Sequence, residues 1–428
     1  MKNIQINDTF IKSFNKFSEI KKNTVAVGVS GGIDSMCLLL TLNEWSKKNN
    51  TKVIAITVDH KLRKSSTEEA LYVSKICNEF NIEHHILTWE GEKSSENLEA
   101  KARDKRYELI SNFCKNNNIK YLITAHHIED QAETFFIRLF RGSGIEGLSS
   151  MQEKTNIFDI TIIRPFLHLH KSFLKNFLIE NSIDWIEDET NFDEKFLRNK
   201  IRLFLNSFED KEIITERINF AVNEINKCKE NFLKQVSEAE DKIIKFEFDR
   251  CIFYVKNIFK YDNNIVLRLL VKALMNESGN IYKPRLEKLK RLFDEIVKFY
   301  FDKTINLKYT FYGCVIEKIN NDEIAIYREY NSIGDDIKLE FNKEVVWDNR
   351  FKILLKDKNI KNCIVTHLEE NEFNSFLEFL RLTNFTIFKE IKKLKNIDKR
   401  IFYTIPLIKT DKYLINCDCV DIKRIIID

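Results

Sequence analysis

The apolar run Val25-Ala26-Val27-Gly28-Val29 leads directly into Ser30-Gly31-Gly32-Ile33-Asp34-Ser35, and an apolar segment follows at residues 36–40. Glycines let backbone amides approach an anion closely, hydroxyls add donors, and a helix starting behind them aims its positive end at the same point. The hexapeptide therefore reads as a phosphate pocket, although two glycines also occur in ordinary strand-to-helix turns. No Lys-Ser or Lys-Thr follows the glycines, which separates this loop from the commoner P-loop, whose lysine reaches the outer phosphates.

A second constellation is Thr124-Ala125-His126-His127-Ile128-Glu129-Asp130-Gln131-Ala132-Glu133-Thr134. Steps of three and four residues place His126, Asp130 and Glu133 on one face of a helix entry. Two carboxylates on that face suit an ammonium group; a solvated face with a capping histidine is the alternative. Arg103 and Arg106 stand three apart, and Arg198 and Arg202 four apart, in segments of helical character. Spacing alone makes Arg103 and Arg106 a surface pair. Arg141-Gly142-Ser143-Gly144 is either a small-residue loop that approaches a ligand or a helix cap at Gly142.

The elements that would position these residues follow a regular order. Runs of β type at residues 25–29, 53–58, 84–89 and 121–125 each precede a helical segment, which predicts parallel strands joined by crossover helices. Ligands of such sheets gather at the carboxyl ends of the strands. Ser30 to Ser35, Asp59-His60 and His126-His127 all fall at such ends. From about residue 208 the pattern changes: Ile214, Ile218, Ala221, Ile225, Phe232, Val236, Ala239 and Ile243 recur at helical steps. Residues 267–275 and 286–301 continue as helix, with Pro284 at a start. Beyond residue 305, runs at 323–327, 345–355 and 413–417 read as strands among helices.

The 428 residues exceed the usual size of one core. A 43% hydrophobic and 31% charged composition with 34 Phe describes a globular protein rather than a disordered one. A formal charge of +4 permits a nucleic-acid partner without requiring one. The nine cysteines include no C-x-x-C pair and no metal-ligand spacing, so reduced, buried thiols are expected, with Cys417 and Cys419 on a C-terminal strand. The first twenty residues lack the apolar core of a signal peptide, and no segment reaches the roughly 18 apolar residues of a membrane span. A cytoplasmic enzyme is expected.

The hexapeptide Ser30 to Ser35 resembles the SGGxDS signature of the N-type ATP pyrophosphatase, or PP-loop, enzymes. Those enzymes cut ATP between the α- and β-phosphates and adenylate a carbonyl oxygen. The resemblance narrows with Val58-Asp59-His60-Lys61-Leu62-Arg63, Ala102 to Tyr107, Thr124 to Thr134, Arg141 to Gly144 with Gly147-Leu148, Arg164-Pro165, Trp185 to Asn191 and Arg198-Asn199. Together these resemble the tRNA(Ile)-lysidine synthetase family, densely over residues 20–205 and loosely beyond, through Trp347-Asp348-Asn349-Arg350-Phe351 and Ile405-Pro406.

The resemblance implies an α/β protein: a parallel, Rossmann-like PP-loop sheet domain at 1–208, a helical tRNA-binding domain at 209–304 and an α+β tRNA-binding domain at 305–428. It implies ATP bound by Ser30, Gly31, Gly32, Ile33, Asp34, Ser35, Asp59 and Arg106, and Mg2+ held by Asp34. L-lysine would be held by Asp130 and Glu133, and catalysis would rest on Asp34, His126, Asp130, Glu133 and Arg198. The partner would be tRNA(Ile) with a CAU anticodon, and the chain a possible homodimer. Asp188-Glu189-Thr190-Asn191 departs from the family's Asp-Pro-Ser-Asn but keeps Asp188 and Asn191; Lys61 replaces a usual glycine. Asp130 and His126 both stay open as acceptor of the lysine proton. Arg381 with residues 388–400, and Pro284-Arg285 with Lys288, Lys290 and Arg291, suit a phosphate backbone or equally a solvated face. Two rivals remain: a tRNA sulfur-inserting enzyme of the same ATP group, disfavoured by the missing C-x-x-C, and a non-catalytic nucleotide-binding module, disfavoured by the extra carboxylates.

Overall fold

A computed structural model describes residues 4, 6–61, 65–90, 98–158, 160–187, 197–247, 249–360, 362–383, 399–410 and 420–426. Asp188 to Asn191, residues 388–398 of the basic segment, the run at 413–417, and Cys417 and Cys419 lie outside the described residues. The chain forms two compact units, Met1–Lys229 and Glu230–Asp428.

The first unit is built on strands β1 (Thr24–Gly28), β2 (Lys52–Asp59), β3 (Glu83–Thr88), β4 (Tyr121–Ile123), β5 (Lys154–Ile157) and β6 (Ile160–Ile163). Its helices are α1 (Asp8–Asn15), α2 (Ile33–Asn49), α3 (Ser65–Glu79), α4 (Leu98–Asn116), α5 (Ile128–Phe140), α6 (Ile145–Leu148), α7 (Lys171–Glu180) and α8 (Leu197–Asn206). The sheet order is β3-β2-β1-β4-β6-β5, parallel except for the β5 edge. Val25 and Val27 of β1 enter the core under α1, α2, α3 and α7, while Ala26 enters the opposite core with Tyr107, Ile110 and Cys114 of α4. This alternation covers both faces and accounts for the continuously apolar strands.

The strand order fixes where a ligand can sit. Chain progression runs outward from β1 to β2 and β3, then returns to place β4 on the other side of β1. Loops after β1 and β4 therefore diverge over a crevice at the point where the direction reverses, the usual ligand position of an open α/β sheet.

Helix α9 (Lys211–Ile243) covers the long amphipathic run, and the division between the units falls within it. The second unit continues with β7 (Ile244–Glu247), β8 (Arg250–Tyr254), α10 (Asn263–Ser278), α11 (Leu286–Phe301), β9 (Lys308–Phe311), β10 (Cys314–Lys318) and β11 (Glu323–Arg328). Pro284 precedes α11 by two residues, with Arg285 as the cap. Helices α10 and α11 share one core with Cys251, Phe253, Ile316 and Ile326 of the sheet β7-β8-β11-β10-β9. The boundary expected near residue 304 thus falls inside a single core, because β7 and β8 supply sheet positions ahead of the helices.

The remaining elements are β12 (Ile337–Leu339), β13 (Glu344–Trp347), β14 (Phe351–Leu355), β15 (Cys363–Thr366), α12 (Phe373–Thr383), β16 (Leu407–Lys409) and β17 (Val420–Arg424). They form two three-stranded sheets, β12-β15-β16 and β13-β14-β17, around Trp347, Ile353, Val365 and Ile408. The run at 345–355 is two strands, split by a turn in which Asp348 and Asn349 take φ of 50° and 54°.

Candidate active site

The turn after β1 is braced from within. The Ser30 amide donates to the Ser35 hydroxyl (3.1 Å), which donates to the Gly32 carbonyl (3.1 Å). Gly31 has φ +84°, and a Cβ there would stand 2.7 Å from Ile186 Cδ1. The Gly31 carbonyl accepts the Ile186 amide at 2.9 Å. Left-handed backbone and close packing together require glycine. Gly32 caps α2 without offering a side-chain acceptor, so the first amides of α2, beginning at Ile33, are available to an anion.

Asp34 stands in that first turn. Its Oδ2 lies 3.4 Å from Lys171 Nζ and 3.6 Å from His127 Nε2. Its Oδ1 is buried with no hydrogen-bond partner among the described residues. Burial alone would raise the carboxyl pKa, but His127 and Lys171 prevail and hold it below the ordinary value.

The two histidines after β4 are driven in opposite directions. Burial, reinforced by Arg164, Arg198 and Arg103 against the pull of Asp130, lowers His126 to about 3, so its ring is neutral. Its Nδ1 meets Thr124 Oγ1 at 3.0 Å. Burial also opposes the charged form of His127, but Asp130, Asp34 and Glu129 overcome it and raise that ring to about 10. His127 Nδ1 donates to Glu129 Oε2 at 2.8 Å, and Nε2 lies 3.4 Å from Asp130 Oδ2. His127, the cap of α5, is therefore an imidazolium, and its backbone amide donates to Asp130 Oδ2 at 3.1 Å.

One turn along α5, the acids meet α8. Arg198 donates through Nη2 to Asp130 Oδ1 and through Nε to Glu133 Oε2, both at 2.6 Å. Arg202 Nε donates to Glu133 Oε1 at 2.7 Å. Asp130 lies far below the ordinary carboxylate range: burial would raise it, but His127 and Arg198 dominate. Glu129 accepts the Lys171 amide (3.1 Å) and faces His170 Nδ1 (3.3 Å), fixing the start of α7.

The cluster thus joins the acids Asp34, Glu129, Asp130 and Glu133 to the cations His127, Lys171, Arg198 and Arg202. Asp34, His126, Asp130, Glu133 and Arg198, expected as catalytic, come together here. The seat expected for a lysine ammonium at Asp130 and Glu133 already holds two guanidinium groups. His127, Glu129, Lys171 and the pairing of Arg202 were not singled out from sequence. The histidine doublet hinted at His127, but nothing near Lys171 marks it, since its place depends on α7 docking beside α2.

Asp59 and Arg106 sit at the neighbouring exit of β2. Asp59 accepts the Lys61 amide (2.8 Å), the Ser66 hydroxyl (2.7 Å) and the Thr67 hydroxyl (2.8 Å), pinning the entry to α3. Lys61 takes φ 48°, a left-handed conformation that explains why glycine suits this turn; the Asp59 contact offsets the strain on a residue with a Cβ. Arg106 Nε donates to His60 Nε2 at 3.4 Å.

Residues 5–208 match the PP-loop domain family. A tRNA(Ile)-lysidine synthase of Wolbachia pipientis wMel is 35% identical over 367 residues, covering 83% of this chain and 82% of that protein. One of Rickettsia felis is 36% identical over 355 residues, covering 82% and 79%. Among solved structures, a U34-tRNA thiolase from Methanococcus maripaludis aligns with TM-score 0.43 and 18% identity, covering 50% of this chain and 78% of that one, a likeness too slight to bear on the chemistry. An uncapped helix start at the sheet's reversal point, a carboxylate beside it and the extent of these sequence matches agree: the chain belongs to the tRNA(Ile)-lysidine synthase family.

Proposed function

We propose that this chain joins L-lysine to C2 of the wobble cytidine in the CAU anticodon of tRNA(Ile), consuming ATP and releasing AMP and pyrophosphate. The cytidine O2 attacks the α-phosphorus, pyrophosphate leaves, and the lysine ε-amine displaces AMP from the activated C2. The modified base then pairs with A, moving the codon read from AUG to AUA.

The observation that carries this reading is the juxtaposition of the unguarded amides of α2 with Asp34, whose buried Oδ1 has no partner among the described residues. Those amides and the Ser30 and Ser35 hydroxyls would hold the triphosphate. Asp34 Oδ1 is a fitting oxygen ligand for Mg2+, which would neutralise charge on the departing pyrophosphate. Lys171 and His127, already drawn to Asp34, add fixed positive charge where negative charge grows.

Asp130 and Glu133 would receive lysine with Arg198 and Arg202 as partners already in place, so the ammonium must share those carboxylates. An ammonium is not a nucleophile, and a proton must leave it. Of the two candidates Asp130 has both oxygens engaged, by the His127 amide and by Arg198, which leaves His126, whose ring is neutral, as the acceptor. The negative charge of the adenylate phosphate on the activated base would raise the basicity of that ring. Sulfur insertion fits less well, because six of the seven described cysteines are buried, and burial pushes Cys77 to about 12.

The test is Asp130→Asn, assayed with tritiated lysine, ATP and tRNA(Ile). Pyrophosphate release should persist while lysine incorporation falls by roughly 10²-fold or more; unchanged incorporation removes the lysine-binding role of Asp130.

A further inference from the structure

Next to the ion-paired cluster, α5, α8 and the turn after α8 expose aromatic rings that no chemistry above uses. Phe140 is 62% exposed, Phe204 47% and Phe208 38%. Their rings run in a file with Phe136: centroids are 5.9 Å apart for Phe140–Phe136, 5.8 Å for Phe136–Phe204 and 5.2 Å for Phe204–Phe208. Phe136 packs against the small core of Ala132, Ile201 and Leu205, so the file is anchored. Contiguous exposed rings on a soluble unit mark a surface built to be covered.

The charges beside the file indicate what covers it. Arg198 and Arg202 are paired with Asp130 and Glu133, which leaves Arg138, Arg141 and Lys200 as the positive charge along residues 134–144 and 197–208, a stretch without Asp or Glu that Glu209 and Asp210 close. An isologous dimer would set this cationic face against its own copy. A nucleic-acid strand supplies the opposite charge, and every base offers a flat face for an aromatic ring. The file also continues from the site: Phe136 lies one turn beyond Glu133, and Phe204 two residues beyond Arg202. From Glu133 to Phe140 the helix rises about 10 Å, close to the length of about three stacked nucleotides at 3.4 Å each.

We infer that Phe140, Phe136, Phe204 and Phe208 form a stacking platform for the unpaired anticodon-loop nucleotides that flank the base entering the active site. This inference rests on the proposed tRNA substrate and adds the surface that grips its loop. Bases would stack on Phe140 and Phe204, while Arg141 and Lys200 meet the phosphates alongside, making the grip tolerant of sequence and sensitive to salt.

The experiment uses the full chain and a synthetic RNA stem-loop carrying the CAU anticodon, with affinity followed by fluorescence anisotropy. Phe140→Leu and Phe204→Leu keep apolar bulk but lose the ring, and each should weaken RNA binding by roughly five- to a hundredfold. Phe140→Tyr and Phe204→Tyr should bind as the unsubstituted protein does, and ATP affinity should hold in all four. As a readout free of substitution, 5-iodouracil placed beside the target cytidine should photocrosslink to peptides containing Phe140 or Phe204. Leucine variants that bind as tightly as tyrosine variants, or crosslinks confined to other peptides, overturn the platform. So does a leucine variant that turns a sedimenting dimer into a monomer with RNA affinity intact, which would make the face an interface between copies. If the unsubstituted protein neither binds the stem-loop nor modifies tRNA, the substrate reading fails as well; if it modifies tRNA and the leucine variants bind the stem-loop undiminished, the platform alone fails.

Discussion

At the scale of single residues, the neighbouring histidines are set to opposite states by what surrounds them. Burial opposes charge on both rings: at His127 the carboxylates of Asp130, Asp34 and Glu129 overcome it and raise the pKa to about 10, whereas at His126 burial, joined by Arg164, Arg198 and Arg103, outweighs Asp130 and lowers it to about 3. Relative to an unfolded value near 6.5, the raised pKa of His127 contributes stability that is complete below about pH 6.5 and is lost as pH climbs through 10. The depressed pKa of His126 acts on the other side, contributing stability above about 6.5 that is lost as pH falls toward 3. Urea titrations from pH 6 to 10 should show a declining midpoint. His127→Gln should flatten that decline and lower stability at pH 7 by about 3–5 kcal/mol, because buried carboxylates lose their cation. An equally steep alkaline decline in the variant would remove His127 from the role given to it.

At the scale of elements, the loop after β1 was legible because its requirements are local. Gly31 is glycine for its φ of +84° and for the 2.7 Å that would separate a Cβ from Ile186, whereas Gly32 has ordinary backbone and no atom nearer than 3.8 Å to the place a Cβ would take. Gly31→Ala should therefore destabilise by about 1–3 kcal/mol in urea titrations and weaken ATP binding. Gly32→Ala should lose less stability, about 1 kcal/mol for a poorer helix cap, and weaken nucleotide affinity by crowding the phosphates. Equal melting of both variants would contradict this division. The β–α alternation of β1 to β4 was legible for the same reason, as was α9 from its regular apolar steps. Lys171 and Arg202 were not, since each acquires its partner only when α7 docks beside α2 and α8 beside α5. Nor could spacing show that Asp130 and Glu133 meet guanidinium groups, because Arg198 lies 68 and 65 residues further along the chain.

At the scale of the whole molecule, the second unit is tied together by buried charge. Arg350, fully buried, donates to Asp249 Oδ2 and Asp348 Oδ2, both at 2.7 Å, and to the Thr404 carbonyl. Arg328 meets Asp348 at 2.6 Å, and Arg424 meets Asp249 at 2.6 Å and Glu277 at 2.7 Å. The network links α10, the β7–β8 turn, β11, the β13–β14 turn and β17, which gives the Trp347 to Phe351 motif a structural purpose. Arg350→Met leaves Asp249 with Arg424 alone and Asp348 with Arg328 alone, removes the donor to the Thr404 carbonyl, and should cost about 3 kcal/mol. Circular-dichroism melts should register this loss while ATP affinity in the first unit holds; an unchanged melt would contradict it. In the first unit, ATP opened between its α- and β-phosphates activates a base for lysine. That coupling is measured by following α-labelled ATP and tritiated lysine together during turnover with tRNA(Ile). One AMP should appear for each lysine fixed in tRNA, with no reaction when Asp34 is replaced by Asn; ADP as the product, or AMP formed without lysine entering the tRNA, would contradict the account.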